Sequence, residues 1–135
     1  MIGKKTKKKK RKKKSRYQRG THMSPIAGEC KFRSGWEQKY MMFLDVHVDV
    51  SSWSYEKLII EYVSNKSTGK IRKYYPDFYV ELKNGTKFVV EIKQKRKLDS
   101  AVVKKKSEAA KLWCHHRGMT FLMLTEIELK QLGVI

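Results

Sequence analysis

Tyr75 to Lys93, YPDFYVELKNGTKFVVEIK, constrains this chain more than any other stretch, because it reads as a hairpin whose side chains decide between two registers. A two-residue type I′ loop at Asn84-Gly85 sets Asp77 opposite Ile92. A three-residue loop of Lys83, Asn84 and Gly85 ends a type I turn in a left-handed glycine with a bulge. The second register places Phe78 opposite Val90, Val80 opposite Phe88 and Leu82 opposite Thr86, so that one face is apolar. The other face then carries Asp77 opposite Glu91, with Tyr79, Glu81, Lys87 and Val89 along it and Lys93 two residues beyond Glu91. The two-residue loop mixes apolar and charged side chains on both faces, which a half-buried sheet resists. The bulged register is the expectation, with Gly85 at positive φ.

That register gathers two carboxylates and a lysine at the open end of a hairpin. Paired carboxylates hold a divalent cation through hard oxygen ligands, and a neighbouring ammonium orients or acidifies water beside a phosphodiester. Scattered charge on a solvent-facing hairpin is the plainer alternative. Pro76-Asp77, a hairpin of this length and Glu91-Ile92-Lys93 on one face favour chemistry.

Pro76-Asp77 with Glu91-Ile92-Lys93 resembles the motif of the PD-(D/E)xK nuclease superfamily, whose members cut DNA with magnesium. The resemblance implies an α/β restriction-endonuclease-like core, α-β-β-β-α-β, with a mixed sheet flanked by helices.

Charge supports a polyanionic partner. The chain has 135 residues, one domain's worth, with 32 basic and 13 acidic residues and a net charge of +19. Twelve basic residues fall within positions 1–20, which contain no acid, leaving 20 against 13, or +7, for the rest. DNA is the expected partner. The tail, with Lys7, Lys8, Lys9, Lys10, Arg11, Lys12, Lys13 and Lys14, reads as a disordered phosphate-binding segment, with a nuclear-import signal or a solvated tail as the other readings. Residues 1–20 are thus expected as a basic tail and 21–135 as the nuclease domain. Gly20-Thr21-His22-Met23 resembles a cloning junction, but purification tags are rarely lysine runs, and a native tail is the expectation. No apolar run approaches a membrane span, and the N-terminus lacks a secretory apolar core. Cys30 and Cys114, few and far apart, point to reduced thiols in a cytoplasm.

Along the chain, Ser34-Gly35-Trp36-Glu37 opens a helix as a capping box, with Trp36, Tyr40, Phe43 and Leu44 as its buried face. Glu37 has two readings, cap alone or a carboxylate serving the hairpin site. Asp45, His47 and Asp49 read as a solvated connection rather than metal ligands. Trp53 to Val63 reads as one strand, and Ser64 to Lys70 as a turn. The basic stretch Lys95, Arg96 and Lys97 is a second DNA-binding expectation. A helix capped by Asp99 or Ser100 runs to about Arg117 and stops at Gly118. Val102, Val103, Ala109, Ala110 and Trp113 form its apolar stripe. Lys106 falls inside that stripe, so it either snorkels or points at the carboxylates or the scissile phosphate. Adjacent Cys114, His115 and His116 read as ordinary surface and core. Thr120 to Leu124 is a short buried strand, and Thr125 with Glu128 caps a last short helix.

Two groups give a closer resemblance, together covering roughly residues 30 to 126. Phe32-Arg33-Ser34-Gly35-Trp36-Glu37, Ser52-Trp53, Glu56, Ile60-Glu61-Tyr62 and Arg72-Lys73-Tyr74-Tyr75-Pro76-Asp77-Phe78 resemble head-completion nucleases of T-even-type phages. Glu91-Ile92-Lys93 through Val103, Lys106, Glu108-Ala109-Ala110, Gly118-Met119-Thr120-Phe121 and Thr125-Glu126 are similar to TnsA-type transposase endonucleases. The resemblance implies Asp77 and Glu91 as metal ligands, Glu37 as a helix-borne acid that joins them, and Lys93 as the catalytic lysine, with Mg2+ or Mn2+ as cofactor. TnsA-type proteins normally carry a further C-terminal domain, and this chain ends soon after the core, so a phage-type endonuclease is expected rather than a transposase. Its expected setting is the cytoplasm of the infected bacterial host, with virion association, neck or portal proteins and a homodimer as further partner expectations. The rival readings are a Holliday-junction resolvase and a non-catalytic DNA-binding virion-assembly protein.

Overall fold

A computed structural model describes residues 18–135; Lys7 to Lys14 and most of the basic tail lie outside them. The elements run β1 (Gly20–Ser24), β2 (Gly28–Phe32), α1 (Gly35–Val46), β3 (Val50–Tyr55), β4 (Ile60–Asn65), β5 (Lys70–Tyr74), β6 (Phe78–Leu82), β7 (Lys87–Ile92), a 3₁₀ turn (Lys95–Lys97), α2 (Ala101–His115), β8 (Thr120–Leu124) and α3 (Glu126–Gln131). The central sheet has the order β3-β6-β7-β8, with β7–β8 parallel and the other pairs antiparallel. Together α1, β3, β6, β7, α2 and β8 are the expected restriction-endonuclease-like core. Two antiparallel ribbons, β1–β2 and β4–β5, are added to it.

The β6–β7 hairpin adopts the bulged register. Phe78 pairs with Val90 and Val80 with Phe88, Leu82 N–H donates to Thr86 O at 2.8 Å, and Gly85 has φ +89°. A β-carbon at Gly85 would meet nothing within 4 Å, so the cost of Gly85→Ala is purely the left-handed backbone. That substitution is expected to destabilise the protein by about 1–2 kcal/mol, read as a lower denaturant midpoint with an unchanged slope.

Both faces of β7 are covered, unlike the half-solvated hairpin expected from sequence. One core packs Tyr40, Met41 and Leu44 of α1 against Trp53, Phe78, Val80 and Val90. The other packs Val89 with Ile60, Tyr74, Ala110, Cys114 and Phe121. The face read as polar is therefore roofed by α2 and the β4–β5 ribbon. Within α2 the inward side chains are Ala110 and Cys114, whereas Val102 is 58% exposed and drops out of the expected stripe. His115 and His116 are exposed, and Cys30 and Cys114 are buried free thiols.

Two expectations fail for tertiary reasons. Trp53 to Val63 is two strands, not one: the chain turns at Glu56, which holds φ +54° and donates its N–H to Asp77 O at 2.9 Å. Beyond that turn it leaves the central sheet to pair with β5. Asp45 is not in a solvated connection. Its carboxylate accepts from Ser24 Oγ at 2.6 Å and Trp53 Nε1 at 3.0 Å and meets His22 Nε2 at 2.6 Å. It thereby ties β1 and β3 to the last turn of α1, while His47 and Asp49 form the connection as expected. Gly20-Thr21-His22-Met23 makes up most of β1, and a β-carbon on Gly20 would strike the Phe32 ring at 2.4 Å.

Among the described residues, no helix is long and apolar enough to cross a membrane.

Candidate active site

Asp77 and Glu91 reach the same point because β6 begins where β7 ends. Pro76 directs the chain into β6, and Asp77 Oδ2 accepts the Ile92 N–H at 2.8 Å. Glu91 Oε1 accepts the Asp77 N–H at 3.2 Å and the Tyr74 O–H at 2.8 Å. Lys93 Nζ lies 3.6 Å from Glu91 Oε2. The two carboxylates are only 8% exposed each, yet both line an open cleft of about 760 Å³.

That burial has an electrostatic consequence. Loss of water, then the neighbouring charges of Glu91 and Glu37, push the Asp77 carboxyl well above its usual range, against the opposing pull of the Ile92 N–H and Lys93. Burial raises Glu91 as well, partly offset by Lys93, the Tyr74 O–H, the Asp77 N–H and Lys106. Without further positive charge the pair holds a proton more firmly than free carboxylates do. The donor set is carboxylate oxygen, suited to a hard divalent cation such as Mg2+ or Mn2+.

Glu37 lines the same cleft and is 9% exposed. Ser34 Oγ caps α1 by accepting the Glu37 N–H at 3.1 Å. The reciprocal half of the expected capping box lands one residue early: Glu37 Oε1 accepts the Arg33 N–H at 2.9 Å and the Tyr55 O–H at 2.6 Å. Among the described residues no three His, Cys, Asp or Glu side chains are grouped as a ready-made metal cage, while Glu37, Asp77 and Glu91 line one cleft and the Glu37 charge acts on Asp77. Both protein donors to Glu37 use Oε1, as both donors to Glu91 do.

Lys106 points into the cleft, its Nζ 5.6 Å from the centroid of the Tyr74 ring. The 3₁₀ turn separates its three cations. Lys97 lines the cleft, the Lys95 N–H bonds Glu126 Oε1 at 2.8 Å, and Arg96 Nε bonds Gln94 Oε1 at 3.0 Å.

Reasoning from residue chemistry missed four contributors. The Tyr74 hydroxyl holds Glu91, and the Tyr55 hydroxyl likewise holds Glu37. Arg33 pairs with Glu56 at 3.2 Å on the cleft wall, and burial raises the Glu56 carboxyl while Arg33 opposes the shift. No local pattern marks any of them. Positive φ at a non-glycine residue beside such a cleft, as at Glu56, is the kind of strain that gathers at functional sites.

Comparison with known proteins agrees with this architecture. The family described as TnsA-like endonuclease N terminal matches residues 47–126, from the end of α1 to the start of α3. The chain is also 30% identical over 124 residues to the head completion nuclease of Enterobacteria phage T4, covering 76% of this chain and 82% of that protein. The match to the family spans β6, β7 and α2 together with Asp77, Glu91, Lys93 and Lys106, and the chain belongs to the TnsA-like endonuclease N-terminal family of nucleases.

Proposed function

We propose that this protein is a divalent-metal-dependent DNA endonuclease of phage type, acting in DNA processing at head completion in the infected bacterial host. The observation that carries the reading is the convergence of Asp77, Glu91 and Lys93 in one cleft of a nuclease fold. Likeness to a phage head completion nuclease supports the biological role. Residues 21–135 would form the nuclease domain and 1–20 a basic tail adding sequence-independent affinity through phosphate contacts.

Asp77 and Glu91 would hold Mg2+ or Mn2+, an arrangement that suits magnesium, which is bound through one or two carboxylates with water and substrate phosphate completing the shell. Held there, a cation would supply positive charge to stabilise the transition state and acidify water. Each residue of the chain then has its own task. The Tyr74 O–H and the Asp77 N–H fix the Glu91 carboxylate, so that its second oxygen faces Lys93. Lys93 orients and polarises the attacking water, whose oxygen bonds to phosphorus as the bond to the leaving oxygen breaks. Glu37 acts as the helix-borne acid of the site, positioned by Tyr55 and the Arg33 N–H. Lys106 meets the phosphate from α2, and Lys95, Arg96 and Lys97 contribute to DNA binding.

Incubation with supercoiled, linear and branched DNA tests the reading. Nicking or linearisation is expected with Mg2+ or Mn2+ and none with EDTA. Intact DNA of every form in both metals would overturn it in favour of a binding protein without catalysis.

A further inference from the structure

The active cleft does not end at Lys73 and Lys106. Those two side chains also line a second groove of about 650 Å³, between the β4–β5 ribbon and α2. Its charged lining consists of Lys70, Arg72, Lys73, Lys105 and Lys106, with no acid. Glu61, the cross-strand neighbour of Lys73, lies outside that lining. Five like charges in one groove repel one another, so an external polyanion complements the surface better than solvent alone.

The arrangement is a track rather than a cradle. Lys70 and Arg72 are two residues apart on β5, which sets them roughly 7 Å apart on one side of the strand. Lys105 faces them from α2, its Nζ donating to Ser64 O at 3.0 Å and tying the helix to the ribbon. Tyr62, opposite Arg72, adds an aromatic ring on which a base can stack. A single small anion would need donors converging on one point, whereas these cations are spread along a groove that opens onto the carboxylates.

We propose that this groove carries the DNA strand that contains the scissile phosphate, gripping its backbone to one side of the cut and delivering it past Lys106 to Asp77 and Glu91. The inference rests on the nuclease reading above and adds to it a path for the substrate. The ribbon inserted between β3 and β6 thereby becomes a DNA-contacting arm.

The test uses the full chain, EDTA and a fluorescently labelled DNA duplex, with affinity measured across a salt series. The variant Lys70→Gln/Arg72→Gln keeps the Lys105–Ser64 hydrogen bond, and its fold is checked by circular dichroism. It is expected to bind more weakly and to flatten the slope of log K against log salt by about 0.9 for each phosphate that is no longer neutralised, or roughly 2 in all. Adding Lys105→Gln flattens it further. Lys31→Gln/Lys39→Gln, a charge-matched double change at exposed positions on β2 and α1 away from the groove, is expected to leave the slope as it is. With metal present, the groove variants raise KM for DNA. Groove variants that match wild type in affinity and slope, while wild type binds and cuts, overturn the track and leave the nuclease standing. Wild type that neither binds nor cuts DNA overturns both.

Discussion

Asp77→Asn and Lys93→Ala are each expected to slow DNA cleavage by about 10²–10³-fold or more, the scale of losing one preorganised charge at a reacting centre. Asparagine keeps the size of the aspartate and an oxygen to accept the Ile92 N–H, but removes the charge that a cation needs. Alanine at 93 removes the ammonium 3.6 Å from Glu91 Oε2, beside the water to be activated. DNA affinity should survive both changes, since on the proposed reading the basic tail and the basic body would bind through phosphates. The fold should survive as well. Asp77 is buried, but its neutral replacement relieves rather than adds electrostatic cost, and Lys93 is partly exposed. Plasmid nicking and DNA affinity, measured side by side, check the pair. Variants that cut as fast as wild type would show that the chemistry lies elsewhere.

Stability of the metal-free protein should fall as pH rises, and divalent cation should restore it. The folded protein holds the Asp77 proton more tightly than the unfolded chain does, because burial and the charges of Glu91 and Glu37 oppose ionisation. Between the unfolded value of about 4 and the raised folded value, the native state binds more protons than the unfolded state, so stability decreases with pH across that window. Below the window the contribution is fully present; above it the contribution is lost. Bound cation reverses the loss by favouring the ionised carboxylates. At a hundredfold excess over its dissociation constant it stabilises by about 2.7 kcal/mol, a rise in Tm on the order of 10 °C for a domain of this size. Thermal melts from pH 4 to 8, with EDTA and with Mg2+, check both parts. Asp77→Asn is expected to lose most of the Mg2+ response and to flatten the pH dependence. Equal Mg2+ stabilisation of wild type and Asp77→Asn would remove Asp77 from the cation site.

The hairpin and its acidic pair were legible in the sequence because a strand alternates with a period of two, so one correct register fixes every side chain on it. Only the bulged loop separates apolar from charged residues, and Gly85 at φ +89° is the cost of that loop. Helix starts were equally local: Ser34, Ser100 and Thr125 each accept a backbone N–H of the first turn. The order of helices and strands read along the chain matched the core of the resembled family.

What the tertiary structure alone decided was burial and partnership. Alternation shows that Asp77 and Glu91 share a face, but not that α2 and the β4–β5 ribbon roof it and drive the carboxylates out of water. Tyr74 and Tyr55 look like core aromatics until their hydroxyls are seen to hold Glu91 and Glu37 from 17 and 18 residues away. The break at Glu56 has no turn signature, since the left-handed residue is a glutamate held by a backbone bond to Asp77 and an ion pair to Arg33. Asp45 shows the same limit. Beside His47 and Asp49 it reads as one charge in a loop, yet partners 21 and 23 residues away turn it into an anchor for β1. Backbone periodicity is written in near neighbours, whereas the surroundings of a charged side chain are set by segments that meet only after the chain has folded.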